Sequence, residues 1–268
     1  MRASLAAVYN PFLPHKQRLY QHRACGYGGD CAYNIRMLWI LFTLLLTAAL
    51  AYFSYRSAQV LPYLPPDTNV LLSLPDVVAR LVVVLVCIGL GVWSGAGAAR
   101  LGWVWSNAPL DIALGAGIGL VAHLALYPAT LWAARVLGER AYSPLILRHI
   151  LPRTRRQWLL VPLAFVVAVL LEELLFRSLL VGALSLVAPA LLLAVLGAVV
   201  FGAMHLPQGW LGAVVSGVVG LGLSLLFLAS GSLLVPFAAH YAFNLAQIVR
   251  AARNPPELTN VSATQSSS

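Results

Sequence analysis

The sequence predicts an all-α fold, a polytopic membrane helix bundle of about seven or eight transmembrane helices with a four-helix core. Two observations carry that prediction. The chain of 268 residues is 60% hydrophobic and only 9% charged, whereas a soluble domain has about 25% charged residues with which to cover itself. Several apolar runs reach the roughly 20 residues that cross about 30 Å of hydrocarbon. These runs are continuous and do not alternate with period two, so the spans are helices and not barrel strands.

Residues 1–36 read as a polar arm carrying Arg2, Lys16, Arg18, Arg23 and Arg36, with no apolar core long enough for a cleavable signal peptide. Within it, HRACGYGGDC holds His22, Cys25 and Cys31, able to form a disulfide loop or a weak metal site; three ligands at irregular spacing are a poor zinc signature, so local structure alone is the expectation. A first span covers Met37 to Tyr55. The stretch from Arg56 to Asp76, with LPYLPPD inside it, is expected to be a loop, because its prolines oppose a helix interior.

A second span follows from Val77 to Trp93, and a third from Pro109 to Ala134. The glycines of GVWSGAGAARLG and GAGIG are the kind that let membrane helices approach closely. The basic loop from Arg135 to Arg156 holds six arginines and room for a short amphipathic surface helix. It closes an N-terminal helical region of residues 37–156. Four apolar segments then build the C-terminal core, residues 157–250: 158–186, 190–205, 210–229 and 232–249. The polar residues 251–268 are expected to be a disordered tail.

The net charge of +9 comes from 17 basic residues against 8 acidic ones. The arginines cluster in loops between apolar segments, which marks them as topology signals beside anionic lipid and argues against a nucleic-acid partner. By that rule the six-arginine loop is cytoplasmic, and four spans later Arg250 and Arg253 return to the same side. Three spans before the loop place the basic arm outside, against the same rule. Orientation is therefore taken from the C-terminal half, and the side of the arm is left open. Heavy use of Ala, Leu, Gly and Arg fits a GC-rich bacterial genome, hence an inner cell membrane. Nothing in the sequence fixes an oligomeric state.

Strongly polar side chains in the last four spans fall into three short groups. LEELLFRSLL contains Glu172, Glu173 and Arg177 inside an otherwise apolar helix, and each charge near the bilayer centre costs at least about 2.5 kcal/mol. Residues four apart share a helix face, so Glu173 and Arg177 are placed as an ion pair. Glu172 is turned about 100° away. One glutamate is thus neutralised structurally, and the other keeps an unmatched carboxylate, a stronger base at low dielectric than in water. FGAMHLP puts Phe201 and His205 on one face, with Pro207 marking the helix end. PFAAHYAFN puts His240 and Asn244 on one face, with Pro236 able to kink the helix before them.

Intramembrane ionisable groups usually face a bundle interior or an aqueous cavity. A carboxylate, two imidazoles and a carboxamide converging there can activate a water and stabilise an oxyanion. Two His and one or two Glu also form a set able to hold zinc. Hydrolysis fits both versions.

The series EExxxR, FxxxH and HxxxN on successive apolar segments resembles the CPBP family of intramembrane proteases. That family includes prenyl-protein endopeptidases that trim CAAX termini and bacterial members linked to bacteriocin processing or immunity. The resemblance covers about residues 157–250 and rests on Glu172, Glu173, Arg177, Phe201, His205, His240 and Asn244. Ser178 departs from the usual glycine and, being small, is expected to matter little. The resemblance implies that Glu172 and His205 activate the attacking water, that His240 and Asn244 hold the oxyanion, and that Glu173 with Arg177 orients the first helix of the core.

The family has been described both as metalloproteases and as glutamate-dependent enzymes without metal. The metal-free version is adopted, with zinc on Glu172, His205 and His240 as the alternative. The expected substrate is a membrane-associated protein or peptide cleaved near the cytoplasmic side of the lipid bilayer. Two other readings are a non-catalytic immunity or peptide-binding scaffold and a proton-coupled transporter. Filled catalytic positions oppose the first, and the lack of an inverted repeat opposes the second.

Overall fold

The computed structural model describes residues 29–253 apart from 66 and 138–140, with side chains from residue 37 onward. The polar arm up to residue 28, Cys25 within it, and the tail from residue 254 lie outside the described residues, as does the side chain of Cys31. Eight α-helices follow in order: α1 Gly29–Val60, α2 Leu74–Ser94, α3 Ala108–Leu137, α4 Leu145–Ile150, α5 Arg155–Glu173, α6 Ala190–Met204, α7 Trp210–Ser230 and α8 Leu234–Arg253. There is no strand among the described residues. The protein is a polytopic all-α bundle.

Each of the seven expected spans corresponds to a helix, but they are not equal. Among the described residues five segments are long and apolar enough to cross a membrane: Met37–Tyr63, Leu74–Ser94, Ala108–Leu137, Arg155–Leu186 and Trp210–Ser230. α6 is apolar but has 15 residues, which at 1.5 Å per residue is about 22 Å, less than the hydrocarbon thickness. α8 has the length but carries His240, Asn244 and Gln247. The two helices that fall short each carry a histidine motif or run directly into one.

Boundaries shift where local chemistry overrides the sequence pattern. α1 begins at Gly29, inside the expected arm, and continues through Arg56 to Val60 before LPY forms a 3-10 turn. Pro75 starts α2 instead of breaking it, because a first-turn proline loses no intrahelical bond. Pro236 likewise stands in the first turn of α8, so the expected kink before His240 is absent. The short helix of the basic loop exists as α4, but none of its residues is exposed and His149 is buried. It is tucked against the bundle and is not an amphipathic surface helix.

Loop hydrogen bonds sort the helix ends. Asn69 donates from Nδ2 to the Ile150 carbonyl at 3.1 Å, Ser143 N–H to Gln208 O at 2.8 Å, and Leu211 N–H to Ala141 O at 3.0 Å. The α1–α2 connection, the basic loop and the turn after α6 therefore share one end. At the other end Leu233 N–H donates to Gly102 O at 2.8 Å, and Ser232 Oγ donates to Asp111 at 2.7 Å. Three helices do precede the basic loop, so α1 starts from the end opposite to it.

The glycine-rich stretches divide in function. In the stretch after Gly91, Gly95 and Gly97 meet nothing within 4 Å, whereas a methyl at Gly102 would lie 2.4 Å from the Phe227 ring of α7 and 2.9 Å from Leu233 N. Gly95, with φ of +67°, caps α2 in the left-handed conformation and the chain then turns away. GAGIG does what its spacing suggests. A methyl at Gly115 would lie 2.3 Å from Val235 O, and one at Gly119 would lie 2.1 Å from Ala239 O. α3 and α8 thus touch backbone to backbone at the residue before His240. Overpacking such a contact costs about 1–3 kcal/mol. Gly119→Ala is expected to lower the thermal unfolding midpoint of the detergent-solubilised protein, whereas Gly117→Ala, which meets nothing within 4 Å, should leave it unchanged.

Candidate active site

The three polar groups of the sequence meet at one level of the bundle. Glu173 ends α5, and its Oε1 accepts a hydrogen bond from Nη1 of Arg177 at 2.9 Å. The i,i+4 pair anticipated from spacing is therefore formed, with side-chain exposures of 1% and 0%. The same oxygen accepts from Nδ1 of His240 on α8 at 2.8 Å, and Arg177 donates its Nη2 to Gly220 O on α7 at 2.9 Å. One glutamate–arginine pair thus ties α5, α7 and α8 together. Glu173 Oε2 and Arg177 Nε are buried with no hydrogen-bond partner among the described residues.

Phe201 on α6 fills the space around this pair. Its ring stands edge-on to Phe176 at 5.0 Å and to His240 at 5.8 Å, and the Arg177 guanidinium lies 5.3 Å from its centroid. A methyl on Gly220 would come within 2.9 Å of that ring, so the absent side chain at Gly220 admits both the ring and the arginine.

Glu172 has the opposite surroundings. Its side chain is 30% exposed and lines a cavity of about 370 Å³ that Glu173 does not line. His205, His240 and Asn244 line the same cavity. His240 Nε2 lies 3.5 Å from Glu172 Oε2, so this imidazole stands between the two glutamates. His205 follows the last residue of α6, and its Nδ1 is 2.7 Å from Phe201 O. With Nδ1–H donating to that carbonyl, Nε2 keeps its lone pair.

Lining residues extend from His240 to Ala251 on α8 and from His123 to Ala134 on α3, a run of about 16 Å along each helix. Tyr142, Ile146 and Ile150 of the basic loop close one side. The cavity therefore reaches toward the end that carries that loop.

All the anticipated site residues are brought together, but two features were missed. After Glu173 the helix loosens into a π-helical segment, Leu174–Ala183, in which all ten residues are buried. Periodicity at 3.6 residues cannot signal this i→i+5 geometry, which recurs at functional sites. Ser178, expected to matter little, sits inside it. Its hydroxyl donates to Leu101 O at 2.7 Å and accepts from Trp103 Nε1–H at 3.0 Å, tying the α2–α3 loop to the core. The second omission is the far wall. Gln247 was legible, since it follows His240 by seven positions on the same face; Arg80, His123 and Tyr127 lie in spans with no motif to single them out.

Residues 154–246, about a third of the chain, match the family model described as Type II CAAX prenyl endopeptidase Rce1-like. No curated protein and no solved structure matches the chain. The matched segment starts at Thr154, whose side chain caps α5 by accepting from Gln157 N–H, and ends two residues after Asn244. It agrees with the resemblance drawn from EExxxR, FxxxH and HxxxN and implies protease activity in a multi-pass membrane protein.

The buried pair yields a direct check. Removing one partner of a buried ion pair typically costs about 3–5 kcal/mol, so Arg177→Met should sharply lower thermal stability in detergent. Adding Glu173→Gln should recover part of that loss, because the stranded carboxylate is then gone.

Proposed function

We propose that this protein is an intramembrane endopeptidase that hydrolyses a peptide bond of a membrane-associated protein or peptide. The observation that carries this is the separation of the glutamates. Glu172 faces the cavity beside His205, His240 and Asn244, while Glu173 is sealed away in its pair with Arg177.

Glu172 and His205 act on the water. His205 Nε2, freed by the Nδ1–H bond to Phe201 O, accepts a hydrogen bond from the water and orients its oxygen. Glu172 takes the proton released as the oxygen attacks the scissile carbonyl, and can deliver it to the leaving nitrogen. His240 is held by Glu173 through Nδ1, which leaves Nε2 as the nitrogen facing the cavity. Protonated there, it donates to the oxyanion together with the Asn244 carboxamide one turn away. Glu173 and Arg177 orient these side chains from outside the cavity, and Phe201, which also lines it, packs against His205 and His240.

Among the described residues no three His, Cys, Asp or Glu side chains are grouped to hold a metal. As these side chains stand, Glu172, His205 and His240 do not form such a group. The cavity's reach toward the basic loop supports a site open to the cytoplasmic side of a cell membrane, since basic loops stay in the cytoplasm.

Glu172→Gln should abolish cleavage of membrane peptides, followed by mass spectrometry, while the protein accumulates and unfolds as wild type does. Unchanged cleavage in that variant or in His205→Ala would remove the assignment. Asn244→Ala should lower kcat by about 10²–10³ with little change in KM, as loss of one oxyanion donor does. Activity is expected to survive exhaustive chelation; loss restored by zinc would instead make Glu172, His205 and His240 ligands.

A further inference from the structure

One charged residue on the cavity wall has no part in the hydrolysis. Arg80 stands on α2, outside the matched segment, yet lines the same cavity as Glu172, His205, His240 and Asn244. Its Nη2 is bonded to Asp76 one turn earlier. Its Nη1 is buried and has no hydrogen-bond partner among the described residues. The pair is asymmetric: Asp76 is 45% exposed and Arg80 25%, so the acid turns outward and the guanidinium inward.

A surface ion pair explains Nη2 but not the placement of Nη1. An unpaired charged donor on a wall shared with Leu71, Ile150, Phe165 and Ala168 carries a desolvation cost that a negatively charged acceptor would remove. A guanidinium presents donors along two edges and can hold a second carboxylate while keeping the first. Among the described residues Glu172 is the one acid lining the cavity, and it repels a carboxylate from the reacting end. The charges therefore give a bound peptide a direction.

We propose that Arg80 is the anchoring site for a carboxylate of the substrate, an inference that rests on the cavity being the peptide-cleaving site. The carboxylate is either the free C-terminus of the peptide or an acidic side chain within it.

The test uses binding, so that it does not depend on turnover. The full-length Glu172→Gln protein in detergent is titrated with a fluorescent, N-acetylated apolar pentapeptide in three forms: the free acid, the C-terminal amide, and the amide with one internal Asp. A carboxylate form should bind about ten- to a hundredfold more tightly than the plain amide, the range for hydrogen bonds to a charged group. Preference for the free acid assigns the C-terminus, and preference for the Asp peptide assigns a side chain. Adding Arg80→Gln should erase the preference and leave binding of the plain amide unchanged.

Equal binding of all three forms, no saturable binding of either carboxylate form, or a preference that survives Arg80→Gln overturns the proposal. If Arg80→Gln does not accumulate, Arg80→Lys decides, since it can keep the pair with Asp76 while losing the second arm of the fork. Failure of the peptidase reading shows separately, as wild-type cleavage by the Glu172→Gln protein.

Discussion

The site depends on one buried carboxylate. Glu173 gathers Arg177 from its own helix and His240 from α8, and Arg177 passes the connection on to the backbone of α7 at Gly220. In a bundle whose exterior is largely aliphatic and aromatic, apolar packing says little about which helix should meet which, since every apolar face is equally content in lipid. A carboxylate and a guanidinium taken out of water are not indifferent. Each is tolerable only beside its partners, so three helices acquire a fixed rotation and depth.

That constraint explains why the neighbouring helices look as they do. α6 is short and stops at Met204, which places His205 on the cavity wall at the level reached by His240 and Glu172. α8 gives up apolar composition to carry His240, Asn244 and Gln247 on one face, and α3 shields it from lipid by direct contact at Gly115 and Gly119. The π-helical stretch after Glu173 buries every one of its residues, and Ser178 uses its hydroxyl to fasten the α2–α3 loop against it. The polar centre and the glycine contacts therefore act together: the first sets rotation, the second sets distance.

A consequence is that adjacent glutamates do different work. Side by side in sequence, they differ in surroundings because a step of one residue turns a helix by about 100°. Glu173 points into the helix junction and is neutralised by partners held within the protein. Glu172 lines a cavity, with Nε2 of His240 at 3.5 Å, surroundings that support the proposed role of its carboxylate as the base.

Much of this was legible from residues alone. Composition and run length determined a helical membrane bundle. The spacings EExxxR, FxxxH and HxxxN determined which side chains share a face, because an i,i+4 relation is a local property of any helix. The sequence could not show that His240 would sit between both glutamates, that Pro236 would fall in a first turn, or that α5 would loosen into a π-helix. Nor could it bring Arg80, His123 and Tyr127 from the early spans to the cavity wall. Those are facts about neighbours distant in the chain. Local periodicity fixes the direction of a side chain relative to its own helix; only the packing of one helix against another decides what that side chain meets.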